Sequence, residues 1–346
     1  MIAGSNDLMA IFRWARRLPP EALRLFGLGQ APCHATYHYF FKALDVEAAE
    51  RILGAWARGS DPLEQIAIDG KRLRGSAPAG HDGREGVHLV AAFASRLEAV
   101  IGQLRVAPGS NEITALKSLP LEGAVITGDA EFCQRAICQS IRDQGGDYLF
   151  TIKANPPRLM ADIAVAFGDA FPPELIAALG GQVAPPTADW DGPPDDLEIA
   201  RTVDKGHGRI EQRELAATSE LASYIDWPGA AQVCPSSRTR ETAGKHRQET
   251  VYAVTSLSHD RASASMLLAL NRQHWESENT LHWRRDTAFA EDASRIRRDK
   301  APHAMASLRN TVLRLLRPFT TPVQATRQIF AENRADVINL AIQGFL

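Results

Sequence analysis

The sequence predicts an α/β layer fold built on a mixed sheet, and three observations predict it. Between residues 61 and 155, a hairpin pattern of two apolar β-type runs is followed by runs that alternate β and α. Residues 1–60 and the stretch beyond Ala262 carry apolar residues at helical spacings of three and four. Residues 199–256 return to β-branched and alternating patterns. A hairpin leading into β-α alternation gives a mixed sheet rather than a purely parallel one, and the late β stretch reads as an insertion before the C-terminal helices.

Taken in order, LMAIFRWARR (8–17) and EALRLFGL (21–28) read as helices separated by Pro19-Pro20. Residues 31–44 read as a cap and a helix, and 46–56 as another. Short helices with tight turns suit a helix-turn-helix module and a generic helical cap equally. Next come strands at 65–69, 87–94 and 99–106, the last two joined across Ser95–Glu98. Asn111–Leu119 reads as a helix, 123–128 as a strand that Asp129 follows, Glu131–Asp143 as an amphipathic helix and Asp147–Lys153 as a strand. Four Pro-Pro pairs punctuate 154–200, with a helix at 158–167. Beyond Ala262 the main amphipathic stretches are 265–283 and 305–317. The domains expected are a helical region at 1–60, the first part of the core at 61–155, a linker and β-rich insertion at 156–260, the rest of the core at 261–318 and a helical tail at 319–346.

Composition narrows the function classes. The chain has 346 residues, 39 Lys plus Arg against 41 Asp plus Glu, and a formal charge of −2. Bulk positive charge is therefore not how it would hold a polyanion; a local basic surface would be needed. Cys33, Cys133, Cys138 and Cys234 form no CxxC pair, which argues against a zinc ribbon and for free thiols in a reducing compartment. With no run of 18 apolar residues and no signal-peptide order at the N-terminus, the expectation is a cytoplasmic protein.

Three acids have settings that suit catalysis. Asp69 ends the apolar run QIAID, Asp129 ends GAVITG, and Glu278 lies in the helical segment HWESEN. Acids at the carboxyl ends of strands sit where α/β sheets bind ligands. Carboxylates without thiolate or histidine spacing suit a hard cation such as Mg²⁺, and a pair of such ions can act on a phosphodiester. The same pattern also describes the first polar residue of an ordinary loop.

The wording of several blocks goes further. AIDGKRLRGS (67–76), HLVAAFAS (88–95), SNEITAL (110–116), VITGDAEFCQRAICQSI (125–141), GGDYLFTIKAN (145–155), DKGHGRIEQRE (204–214) and HWESENTLHWRRDTAFAEDASRIR (274–297) stand in one order. In these blocks the chain resembles the H-repeat-associated, ISAs-type insertion-sequence transposases of the DDE transposase superfamily, over about residues 5–318. The resemblance implies an RNase H-like catalytic core with a mostly β insertion. It implies Asp69, Asp129 and Glu278 as the catalytic and metal-binding triad, with two Mg²⁺ or Mn²⁺ ions as cofactors. The implied activity is cleavage and strand transfer of double-stranded DNA by a homodimer on the element ends, with no membrane and no small-molecule substrate. The alternatives are a defective or domesticated copy that only binds DNA, and a host-adapted metal-dependent nuclease. Departures from the family pattern are Gly109, where Lys is usual, Ala154-Asn155-Pro156 after Lys153, and a start inside what resembles the helical N-terminal domain.

Around these acids, Glu276 reads as a solvated surface residue, because positions i and i+2 of a helix diverge. Asp286, Glu291 and Asp292 read as caps and ion-pair partners of Arg295 and Arg297. His274 and His282, four residues either side of Glu278, share its helix face and suit phosphate contact or packing. Trp275 and Trp283 read as packing of the catalytic helix. Residues 272–317 hold ten Lys/Arg and six Asp/Glu, a local balance of +4. The candidate DNA-binding residues are Lys71, Arg72, Arg74, Lys153, His207, Arg209, Arg284, Arg285, Arg295, Arg297 and Arg298. A solvated helix face would account for part of the same charge.

Overall fold

The computed structural model describes residues 1–60, 64–81, 83–106, 119, 121–153, 156–167, 194–206, 208–242 and 245–344, without the side chains of residues 84, 166, 276, 278 and 279. The expected helix at 111–118, the SNEITAL block and His207 lie outside the described residues.

The chain opens with helices α1 (Leu8–Ala15), α2 (Pro20–Leu25), α3 (His34–Ala43) and α4 (Val46–Arg58). Asp7 accepts from the Ala10 amide at 2.8 Å and Asp45 from the Ala48 amide at 3.0 Å, so each satisfies an orphan donor at a helix start. Strands β1 (Gln65–Leu73), β2 (Val87–Ala94), β3 (Ala99–Arg105) and β4 (Val125–Gly128) follow, then α5 (Arg135–Asp143), β5 (Asp147–Ile152) and α6 (Pro157–Ala166). Four antiparallel strands come next: β6 (Glu198–Gly206), β7 (Arg209–Ala217), β8 (Gln232–Thr242) and β9 (Lys245–Thr255). The chain closes with α7 (Ala264–Ser277), a π-helical turn (Glu278–His282), α8 (Trp283–Phe289), α9 (Ala301–Leu316), α10 (Val323–Glu332) and α11 (Arg334–Gln343).

Two compact units divide the chain. The first comprises Met1–Pro62, Asp69–Asn111 and Ser277–Leu346; the second comprises Leu63–Ile68 and Glu112–Glu276. In the first, the strand order is β3-β2-β1, and the β2–β3 hairpin closes at Ala94 opposite Ala99. Helix α4 lies so close to β3 that a Cβ on Gly54 would stand 2.2 Å from the Ile101 carbonyl oxygen. Leu8, Phe41 and Val46 of the N-terminal helices share a core with Ala301, Ala304 and Met305 of α9.

In the second unit the order is β1-β4-β5-β9-β8-β7-β6, with β1, β4 and β5 parallel and the rest antiparallel. Val125, Leu149, Leu215, Cys234 and Ala253 bury apolar surface with Leu267, Leu268 and Leu270 of α7. The buried Gln65 amide donates to the Thr127 hydroxyl at 3.0 Å and to the Leu270 carbonyl at 2.9 Å, locking β1 to β4 and α7. The fold is thus a mixed-sheet α/β fold of the RNase H-like class with a β insertion and N-terminal helices.

Three expectations about elements are corrected. Asp69 lies in the middle of β1, because the strand continues to Leu73. The helix after Asp129 begins at Arg135, since the Asp129 carboxylate accepts the Glu131 amide at 2.9 Å and holds a turn there first. The helix expected through 265–283 is broken by the π turn.

Candidate active site

Asp69 is placed by β1, whose preceding residues Ile66, Ala67 and Ile68 are fully buried and fix the strand. Its side chain is 33% exposed, and its Oδ2 lies 2.7 Å from Nε2 of His282, the last residue of the π turn, which is 12% exposed. Both residues line a cavity of about 790 Å³ in the first unit, together with Gly70, Lys71, Arg72, Arg74, Asp286 and Asp292. His88 stands over Gly70, where a Cβ would meet its Nε2 at 2.8 Å. Burial first, and then Arg72, hold the His88 imidazole below its ordinary value, against the opposing pull of Asp69.

Asp129 belongs to the second unit and follows β4 directly. Gly128 has no room for a side chain, since a Cβ would stand 2.9–3.1 Å from Phe150, Ile68 and Phe132. The Gly-Asp order is therefore set by packing beneath the strand end. Glu278 opens the π turn; its side chain lies outside the description, as does that of Glu276. The π turn itself is the unexpected element, because such turns are rare and concentrate at functional sites.

Behind the cavity lies a buried ion cluster that sequence reasoning missed. Glu291 accepts from Arg285 and from Arg309, each at 2.9 Å, and lies 3.7 Å from the Lys71 ammonium. Arg285 also donates to Gln103 at 3.3 Å, and Gln103 donates in turn to Glu50 at 3.1 Å. Lys71 donates to Asp286 at 2.6 Å and lies 3.9 Å from Asp292. Burial pushes the Glu291 carboxyl up, but Arg285 and Arg309 outweigh it and bring it down to about 2.

Several assignments change accordingly. Arg285 is 1% exposed and wholly engaged inside the protein, so it is a structural cation rather than a DNA contact. Glu291 pairs with Arg285 and Arg309, not with Arg295 or Arg297. Trp275 and Trp283 are 50% and 63% exposed, so neither is the packing residue expected. Arg284 lies 3.3 Å from Glu98, and Arg297 donates to the Gly75 carbonyl at 3.1 Å. Arg72, Arg74, Lys153, Arg295, Arg297 and Arg298 are exposed.

In the second unit, Glu211 of β7 is buried and engages Arg213, Arg238 at 2.8 Å and Arg209 at 3.7 Å. Its register partner Arg240 sits directly opposite Arg247, and Lys245 ends the same face two residues on. Like charges opposite one another destabilise a strand pair unless an anion lies between them.

The Transposase DDE domain model matches residues 61–315. The chain belongs to the DDE transposase family. It is thus an enzyme of transposase type. The "H repeat-associated putative transposase YhhI" of Escherichia coli strain K12 is 32% identical over 273 residues, 75% of this chain and 67% of that relative. The "Putative transposase YncI" of Escherichia coli O157:H7 is 32% identical over 286 residues, 79% of this chain and 68% of that relative. Among solved structures, a piggyBac transposase synaptic complex with hairpin DNA aligns with 99% of this chain and 72% of its own, at a TM-score of 0.38 and 9% identity.

For this transposase, the chemistry of the donor set fits a hard divalent cation. Asp69 brings carboxylate oxygen to a polar cavity wall, and no thiol lines that cavity. Among the described residues no three His, Cys, Asp or Glu side chains are grouped around one point. No helix among them is long and apolar enough to cross a membrane.

Proposed function

We propose that this chain nicks a DNA strand at the end of an insertion sequence and transfers the resulting 3′-hydroxyl to target DNA, with Asp69, Asp129 and Glu278 as its catalytic acids. The observation that carries this reading is Asp69, held mid-strand with its carboxylate at the wall of a cavity that Arg72 and Arg74 also line. Two Mg²⁺ or Mn²⁺ ions held by the three carboxylates would supply charge stabilisation to the phosphodiester and activation to the attacking hydroxyl. The protein's own contribution is positioning. The buried residues of β1 fix Asp69, the Gly128 packing fixes Asp129, and the π turn fixes the backbone at Glu278. Exposed cations beside the cavity, Arg72 and Arg74, would bind phosphate oxygens without reading sequence.

Double-stranded DNA is then the partner, approached by a homodimer that holds two element ends. The assignment of the third acid is tested by Mg²⁺-dependent nicking of DNA bearing those ends. Glu278→Gln is expected to lower the rate at least a thousandfold, while Glu276→Gln stays within about threefold. The reverse order would move the third acid to Glu276.

A further inference from the structure

We propose that His282 is a positioning residue for Asp69, fixing the orientation in which that carboxylate meets a divalent cation. The inference rests on the proposed role of Asp69. Its own support is geometric. His282 Nε2 lies 2.7 Å from Asp69 Oδ2, a separation at which a ring N–H and a carboxylate oxygen interact directly. The imidazole is 12% exposed, so its own rotamer is held by its surroundings. It also closes the π turn, which re-aims the residues after Glu278 relative to a continuous α-helix.

Asp69 stands on a strand and can adopt several side-chain rotamers at a cavity wall. A donor fixed on one oxygen removes that freedom before a cation arrives, as outer partners of metal-binding carboxylates generally do. Lys71 does not serve Asp69 in this way, because its ammonium is engaged by Asp286 at 2.6 Å and lies near Glu291 and Asp292. His88 stands over the adjacent Gly70 and is kept from protonating by burial and by Arg72. His282 is therefore the donor that comes from a different element and ties β1 to the π turn.

The test is Mn²⁺ binding to the DNA-free protein, read by the loss of the free-ion electron paramagnetic resonance signal. His282→Phe keeps the ring volume and removes the donor; His282→Gln keeps an N–H near the position of Nε2. The expected result is Mn²⁺ affinity about 10–100-fold weaker in His282→Phe and within about threefold of the parent in His282→Gln, with both variants melting near the parent without metal. Equal or tighter binding in His282→Phe would overturn the inference, tighter binding meaning that the imidazole competes with the cation. So would a His282→Gln variant as weak as His282→Phe. Asp69→Asn separates the two ideas. If it abolishes binding while His282→Phe changes nothing, only the inference fails. If Asp69→Asn binds Mn²⁺ like the parent, the reading of Asp69 fails and the inference with it.

Discussion

Glu291 gives up water on folding and gains Arg285 and Arg309, so its ionised form is worth more in the folded chain than in the unfolded one. The folded carboxyl is depressed from 4.5 to about 2. The stability it contributes is therefore complete above about pH 4.5 and is lost as pH falls through about 2. The shift corresponds to about 3 kcal/mol. Glu291→Gln leaves two buried guanidiniums without their anion and is expected to cost about 3–5 kcal/mol in urea unfolding at pH 7. It should also flatten the acid limb of stability between pH 4.5 and 2, and an unchanged acid limb would show that the cluster does not carry that charge. Nothing in HWRRDTAF marks Arg285 as buried. Its partners Gln103 and Glu291 come from β3 and a later loop, and periodicity within one helix does not report on either. Asp69 and Asp129 were legible because each follows an apolar run, whereas the contact between Asp69 and His282 joins residues more than two hundred positions apart.

The elements were mostly readable, and the exceptions have physical reasons. The β2–β3 hairpin and strands β6–β9 follow from alternation and β-branched content. The π turn is invisible because it breaks a helix without a proline or glycine in Glu278–His282. The β8–β9 hairpin has a consequence of its own. Arg240 faces Arg247 across the ladder, with Lys245 on the same side, while Glu211 is taken up by three other arginines. Among the described residues no carboxylate forms an ion pair with Arg240, Arg247 or Lys245. A DNA backbone placed here would give up about 0.9 counterion per phosphate neutralised. Replacing Arg240, Lys245 and Arg247 by Gln should lower the slope of log affinity against log salt by about 2.7, measured by fluorescence anisotropy on duplex DNA. An unchanged slope would remove this hairpin from the DNA interface.

At the scale of the molecule, a formal charge of −2 coexists with cations concentrated on particular surfaces and acids that divalent ions would neutralise. The first unit is assembled from three separated stretches of sequence. The N-terminal helices there share a core with α9, an association that no local pattern predicts. The family explains why such distant stretches are kept together: the three acids come from separate blocks and serve one phosphodiester. That claim is tested most directly by a Mg²⁺-dependent strand-transfer assay on DNA carrying the element ends, comparing the parent with Asp69→Ala. The account predicts at least a thousandfold loss of strand transfer in Asp69→Ala with duplex DNA binding retained; joined products formed by the variant at the parent's rate would contradict it.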